Sequence, residues 1–140
     1  MCRMCDDPVH VDVGTAKNAD RLAIGLDFGT ESVRALIVDL HGHEHASAVA
    51  AYEHGQIVAR LPGGAQDLPS TFALQHPIDW LDAAGEATRS ALAKAHAPGG
   101  SVISIGVDFT SCTMLPCRAD GQPLMLEKSF AARPHAWPKL

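Results

Sequence analysis

Asp27, Gly29, Thr30, Glu31, Ser32 and Arg34 put an acid, a flexible backbone unit, two hydroxyls, a second acid and a cation into one short stretch. A glycine at Gly29 lets the backbone turn closely, so that successive amides can point at one anion, and Thr30 and Ser32 add hydroxyl donors. That is the chemistry of a phosphate cradle. A carboxylate at Asp27 would repel a bare phosphate, but it suits magnesium standing between the two, directly or through water, because magnesium keeps several waters and few protein ligands. Arg34 would balance the remaining charge. The same residues also fit a plain hairpin with turn-forming side chains and a surface salt bridge.

The flanking pattern predicts elements that would hold such a turn. "LAIGLDFGT" is an apolar run ending at an acid and a glycine, as expected of a strand buried on both faces, and "SVRALIVDL" is a second such run. The short "FGTE" between them requires an antiparallel hairpin. "DLHGHE" reads as a turn, "ASAVAAYEH" as a third, weaker strand and "LPGGAQDLPS" as a loop. Pro77 opens a helix whose Ile78, Leu81, Ala84, Gly85, Thr88, Ala91, Leu92 and Ala95 recur at spacings of three and four through Ala97, with "PGG" ending it. "VISIGVDFT" is a fourth buried strand, and "CTMLPCRADGQPLML" a hairpin-like segment turning at Asp120 and Gly121. A helical crossover of this length places the fourth strand parallel to the first, with Asp27 and Asp108 at the same end of neighbouring strands. The expected fold class is α/β, a ribonuclease-H-like (actin-like ATPase) domain of a three-strand meander, a helix and a parallel strand, incomplete as it stands.

Composition narrows the partners. The chain has 140 residues, 46% of them hydrophobic, enough to bury one core. A formal charge of -5 disfavours a polyanionic partner, since nucleic-acid affinity is mostly phosphate neutralisation by Lys and Arg. No apolar run is long enough to cross a bilayer, and residues 1–20 lack the basic and apolar regions of a signal peptide and read as a disordered leader, so a cytoplasmic protein without membrane partners is expected. Reduced thiols are expected at all four cysteines; Cys2 and Cys5 form a C-x-x-C without the second pair or preceding strand that zinc or redox chemistry would need. His41, His43 and His45 alternate in "HGHEH" and could present two or three imidazoles to a metal from one side of a hairpin, or simply be exposed turn residues.

"IGLDFGTESVRALIVD" resembles the first phosphate motif of the FGGY carbohydrate kinases, a family within the actin-like ATPases. Four further stretches resemble its ribulokinase branch: "YEHGQI" followed by "LP", "ALQHPIDWL", "IGVDFTSCTMLP" with "DGQPL", and "PHAWPKL". The likeness runs from about Leu22 to Leu140. It implies ATP and magnesium as cofactors, a ketopentose such as L-ribulose as the small-molecule partner, and in-line attack of a sugar hydroxyl on the terminal phosphoryl group, as in L-arabinose catabolism. The phosphate site would be Asp27, Gly29, Thr30, Glu31, Ser32 and Arg34, with Asp27 also organising the metal. The sugar site would be Ser111, Cys112, Thr113 and Trp137, with His76 and His135 in nearby loops. Glycerol kinases carry Arg and Glu where Ser111 and Cys112 stand, and the small side chains here leave room for a longer sugar. The bland alternatives are a polar strand end for "TSCT", a small buried apolar residue for Cys112 and core packing for Trp137.

By the same resemblance the general base is an Asp expected beyond Leu140, so none of these residues is assigned that role. Residues 21–140 would then be the truncated amino-terminal part of a first kinase domain, inactive alone and inclined to associate through exposed surface. Pro138 departs from the branch, which usually has valine there. Competing expectations are a non-catalytic remnant with weak sugar or phosphate affinity, another FGGY pentulose or polyol kinase, and a nuclease using Asp27 and Asp108 as two-metal ligands. The last suits neither the acidic balance nor the "GTES" turn.

Overall fold

A computed structural model describes residues 21–140; the expectations for the leader and for Cys2 and Cys5 lie outside the described residues. Four strands, β1 (Leu22–Phe28), β2 (Ser32–Asp39), β3 (Glu44–Ala51) and β4 (Val102–Phe109), form one mixed sheet of order β3-β2-β1-β4. The first three run as an antiparallel meander. β4 returns through the helix α1 (Pro77–Lys94) to lie parallel to β1, with Asp27 opposite Asp108. The expected element order, the hairpin and the parallel pairing are all present.

Helix α1 starts where the chain offers a cap and a proline. His76 has extended backbone angles and its Nδ1 accepts the Ile78 amide at 3.3 Å, while Pro77 occupies the first turn, where no amide donor is needed. The helix ends at Lys94, three residues before the expected limit. His96 takes a positive φ of 50°, which turns the chain out of the helix, and the "PGG" segment contributes instead to a short 3-10 turn over Gly99–Ser101. β3 begins at Glu44 rather than Ala46, so His45 lies in the strand.

The helix face turned to the sheet overlaps the expected stripe at Ala91, with Ala84, Leu92 and Ala95 packed at its margin, but it is centred one position away. Ala83, Ala87 and Ala91, four residues apart, face the sheet, whereas Leu81 stands in solvent. Alanine lets the helix axis approach closely over β2 and β3, where Val33, Ala35, Ile37, Ala48 and Ala50 meet it. Full burial of Val33 and Ile37 contributes about 1.5–3 kcal/mol each. A second cluster, Ile57, Leu61, Phe72, Leu74, Met125, Ala136 and Trp137, packs the long loops together, and the "CRADGQP" segment turns through Gly121 at a φ of 86°.

The expectation that β1, β2 and β4 are buried on both faces is corrected; in β2, Val33, Ala35 and Ile37 are buried while Arg34 on the other face is exposed. Among the described residues a single helix covers the sheet, and it sits over β2 and β3. β1 is therefore covered on one face only, and β4 on neither: Ile105, Val107 and Phe109 are 60%, 56% and 66% exposed. Their register partners Ile24, Leu26 and Phe28 show that this apolar row lies on the helix side of the sheet, past the reach of α1. An exposed apolar row on an unpaired edge strand promotes association. The chain is expected to elute from size exclusion above its 14.8 kDa monomer mass, with Val107→Lys shifting it toward monomer; a wild-type monomer throughout a concentration series would contradict this.

Candidate functional site

The phosphate-type turn sits at the end of the β1–β2 hairpin, where the last ladder pair is Phe28 with Val33. The Gly29 amide donates to the Ser32 carbonyl at 3.0 Å, which closes the turn and uses that amide internally. Among the described residues the amides of Thr30 and Glu31 donate to no other group of the chain. Gly29 keeps an ordinary negative φ, so glycine is not demanded by backbone angle; a Cβ there would stand 3.4 Å from the Ser32 carbonyl oxygen, an ordinary contact.

Side chains from two other segments reach this turn. The Tyr52 hydroxyl, just after β3, donates to the Gly29 carbonyl at 3.0 Å, and its amide donates to the Glu31 carbonyl at 2.8 Å. The Gln75 amide nitrogen, just before the helix cap, donates to the Thr30 carbonyl at 2.5 Å. Burial first, and then the charges of Asp27 and Asp79, push the Tyr52 phenol up to about 12, so its hydroxyl stays protonated and acts as a donor. Gln56 adds a contact of 3.1 Å to the Glu31 carboxylate.

Asp27 lies on the sheet face away from α1, opposite Arg34 on one side and Asp108 on the other. Among the described residues Asp27 and Arg34 form no ion pair, so the surface salt bridge of the plainer reading is not made. Asp27 and Asp108 stand opposite each other in the ladder, and carboxylate oxygens are the donors that a hard divalent cation such as magnesium prefers, although one Asp108 oxygen accepts the Phe109 amide at 2.9 Å. The residues present fit that ion.

The turn and the segment after β4 share a cleft of about 390 Å³, lined by Gly29, Tyr52, Gln75, Phe109, Thr110 and Thr113 among others. Thr110 and Thr113 hydroxyls lie 3.0 Å apart, and Ser111 and Cys112 are exposed beside them. Trp137 is elsewhere: it is 4% exposed, its indole donates to the Ala131 carbonyl at 2.9 Å, and its ring meets His76 edge-on. His135 lines a separate cavity of about 470 Å³ beneath the 61–69 loop.

The "HGHEH" imidazoles gather around a carboxylate. Asp39 accepts the amides of His41 and His43 and the His43 ring at 2.8, 3.0 and 2.9 Å, with His45 at 3.4 Å. Burial raises the Asp39 carboxyl, yet the bonds from His43, His41 and His45 hold it well below the usual carboxylate range. Among the described residues the histidines that converge on possible metal ligands are instead His54 and His76, with Asp79. Their rings stack at 4.6 Å with planes 14° apart. Lone pairs lie in the ring planes, and two nearly parallel stacked planes do not direct them at one ion. The group works as a local brace: Asp79 accepts the His54 amide at 2.8 Å and the His54 ring at 2.9 Å.

Burial, then the nearby His54, lowers His76 from its ordinary range, with Asp79 pulling the other way. A depressed imidazole favours the neutral form in the folded chain, so the unfolded chain takes up the proton first. The His76 contribution to stability is therefore whole above the ordinary imidazole range and is lost as pH falls below it. Melting temperature should drop between about pH 7.5 and about pH 5, and His76→Asn, which caps without titrating, should flatten that slope; an unchanged slope would contradict the assignment.

Tyr52, Gln75 and Asp79 carry no role in the sequence reading. The stretches "YEHGQI" and "ALQHPIDWL" contain them, and those stretches are informative only by likeness.

No family model matches the chain. It is 46% identical over 120 residues to the ribulokinase of Geobacillus thermodenitrificans, covering 86% of this chain and 21% of that protein. The ribulokinase of Mycolicibacterium smegmatis is 43% identical over 128 residues, 90% of this chain and 23% of its own length. In fold, the chain matches a xyloylose kinase from Brucella ovis with a TM-score of 0.59 at 20% identity, over 73% of this chain and 19% of that one. This chain is thus similar to ribulokinases over most of its own length and spans about a fifth of theirs.

Proposed function

We propose that residues 21–140 supply the phosphate turn and part of the sugar pocket of an ATP-dependent ketopentose kinase that converts L-ribulose to L-ribulose 5-phosphate, the step used in L-arabinose catabolism. The observation that carries this is the β1–β2 turn, whose Thr30 and Glu31 amides engage no other group among the described residues, at the end of the strand that sets Asp27 opposite Asp108, in a chain that aligns with ribulokinases. In this reading the residues form the amino-terminal part of a ribonuclease-H-like, actin-like domain in the cytoplasm, and the enzyme does not act on nucleic acid or membranes.

Asp27, Gly29, Thr30, Glu31, Ser32 and Arg34 hold the ATP phosphates, and Ser111, Cys112 and Thr113 shape the sugar site, while the buried Trp137 supports the neighbouring loops from the core. Magnesium, when bound beside Asp27, neutralises phosphate charge. Phosphoryl transfer depends on positioning and charge stabilisation more than on covalent chemistry, so a rigid turn is what such a segment has to contribute. None of these residues is assigned as the base that accepts the sugar proton.

The test is a chimera in which residues 21–140 replace the matching fifth of the Geobacillus thermodenitrificans ribulokinase. ATP consumption should proceed with L-ribulose and magnesium and be slower with ribitol. A folded chimera that turns over none of the pentuloses or polyols would sink the reading.

A further inference from the structure

The carbonyls of the β1–β2 turn are all occupied from within the protein. Gly29 accepts the Tyr52 hydroxyl, Thr30 the Gln75 side chain, Glu31 the Tyr52 amide and Ser32 the Gly29 amide, at 3.0, 2.5, 2.8 and 3.0 Å. Two of these donors are buried side chains, Tyr52 at 6% and Gln75 at 2% exposure. The Gln75 orientation is settled by its partner, since a carbonyl acceptor requires the amide nitrogen to face it.

A trans peptide joins the carbonyl of one residue to the amide of the next in a single plane, pointing in opposite directions. No peptide among the described residues is cis. Drawing the Gly29 carbonyl toward Tyr52 therefore turns the Thr30 amide away from it. Drawing the Thr30 carbonyl toward Gln75 does the same to the Glu31 amide. Among the described residues these two amides of the turn donate to no other group.

We infer that Tyr52 and Gln75 are positioning residues for a polyphosphate ligand: by anchoring consecutive carbonyls from behind, they aim the Thr30 and Glu31 amides outward as a paired anion donor. The inference rests on the phosphate reading of the turn and adds the residues that pre-set it. Preorganised donors bind an anion without the cost of ordering the loop at the moment of binding. Neither side chain touches the ligand in this account. Asp27, on the adjoining strand end, remains free to meet an accompanying cation.

The test uses the whole chain labelled with ¹⁵N, its Tyr52→Phe and Gln75→Met variants, and magnesium tripolyphosphate as the probe. Residual dipolar couplings report amide direction, and a titration reports affinity. The expected result is that the Thr30 and Glu31 amides of the wild type respond to the probe. Each variant should reorient those two amides, leave the α1 couplings unchanged and weaken affinity roughly three- to tenfold. Variants with unchanged couplings and unchanged affinity would overturn the positioning role while leaving the phosphate reading intact. Reoriented amides in a chain whose wild-type turn ignores tripolyphosphate would overturn the phosphate ligand, and with it the inference as stated, while leaving the mechanical role of the two side chains. Affinity lost with unchanged couplings would also count against it.

Discussion

Asp27→Asn in the ribulokinase chimera is expected to lower kcat for L-ribulose roughly a hundred- to a thousandfold, with the melting temperature almost unmoved. The carboxylate is exposed, sits opposite Arg34 and Asp108, and has no ion-pair partner among the described residues. Little in the fold depends on its charge, and exposed substitutions of this kind usually shift stability by no more than about half a kcal/mol. In the proposed reaction its role would be different: it would meet a cation that neutralises the phosphates while charge redistributes over the transferring group. Steady-state kinetics with saturating magnesium and ATP, beside a thermal melt, would separate the two roles. A variant with kcat within threefold of the parent would remove Asp27 from the phosphate site, and the same loss on Asp108→Asn alone would move the role to β4.

Trp137→Ala is expected to cost about 3–5 kcal/mol of stability, a large share of the roughly 5–15 kcal/mol available to a typical domain. The indole is buried in the cluster that ties the 57–74 loops to the carboxyl-terminal turns, and its nitrogen donates to the Ala131 carbonyl. It also meets the His76 ring edge-on, so its loss disturbs the residue that caps α1. Trp137→Phe keeps most of the packing and gives up the indole donor, and it should cost less. Urea denaturation of the three chains decides the matter: an alanine variant that loses under about 1 kcal/mol would mean the cavity collapses without penalty and that the ring has no large part in holding this core.

Much of the fold is legible in the sequence because its signals are local. Apolar runs mark β1, β2 and β4, a proline marks the start of α1, and the interval between β1 and β2 is too short for anything but a hairpin. Burial is less legible because it depends on what lies opposite. Leu81 fits the same apolar stripe as Ala91 by spacing, yet it stands in solvent while Ala83 and Ala87, outside that stripe, meet the sheet, since α1 crosses strands whose own side chains fill the space. β4 has the composition of a doubly covered strand and is covered on neither face.

The site divides in the same way. The acid, glycine and hydroxyls of the turn announce themselves by type and order, and the register confirms that Asp27 and Asp108 are neighbours. Tyr52 and Gln75 do not, because a tyrosine after a strand and a glutamine before a helix have no chemistry specific enough to notice. Their place becomes visible only when the fold brings residues far apart in sequence to the same two carbonyls. The "HGHEH" histidines, for which alternation left a metal role or plain turn positions open, are placed only by the fold: the nearest strong acceptor is Asp39, and the turn closes around it.

The most direct measurement is paramagnetic broadening of the ¹⁵N-labelled chain by manganese-ATP. The account predicts that resonances of Asp27 through Ser32 and of Asp108 broaden first, ahead of the 61–69 loop and His135. Broadening centred on the cavity beneath that loop, or spread evenly over the surface, would contradict it.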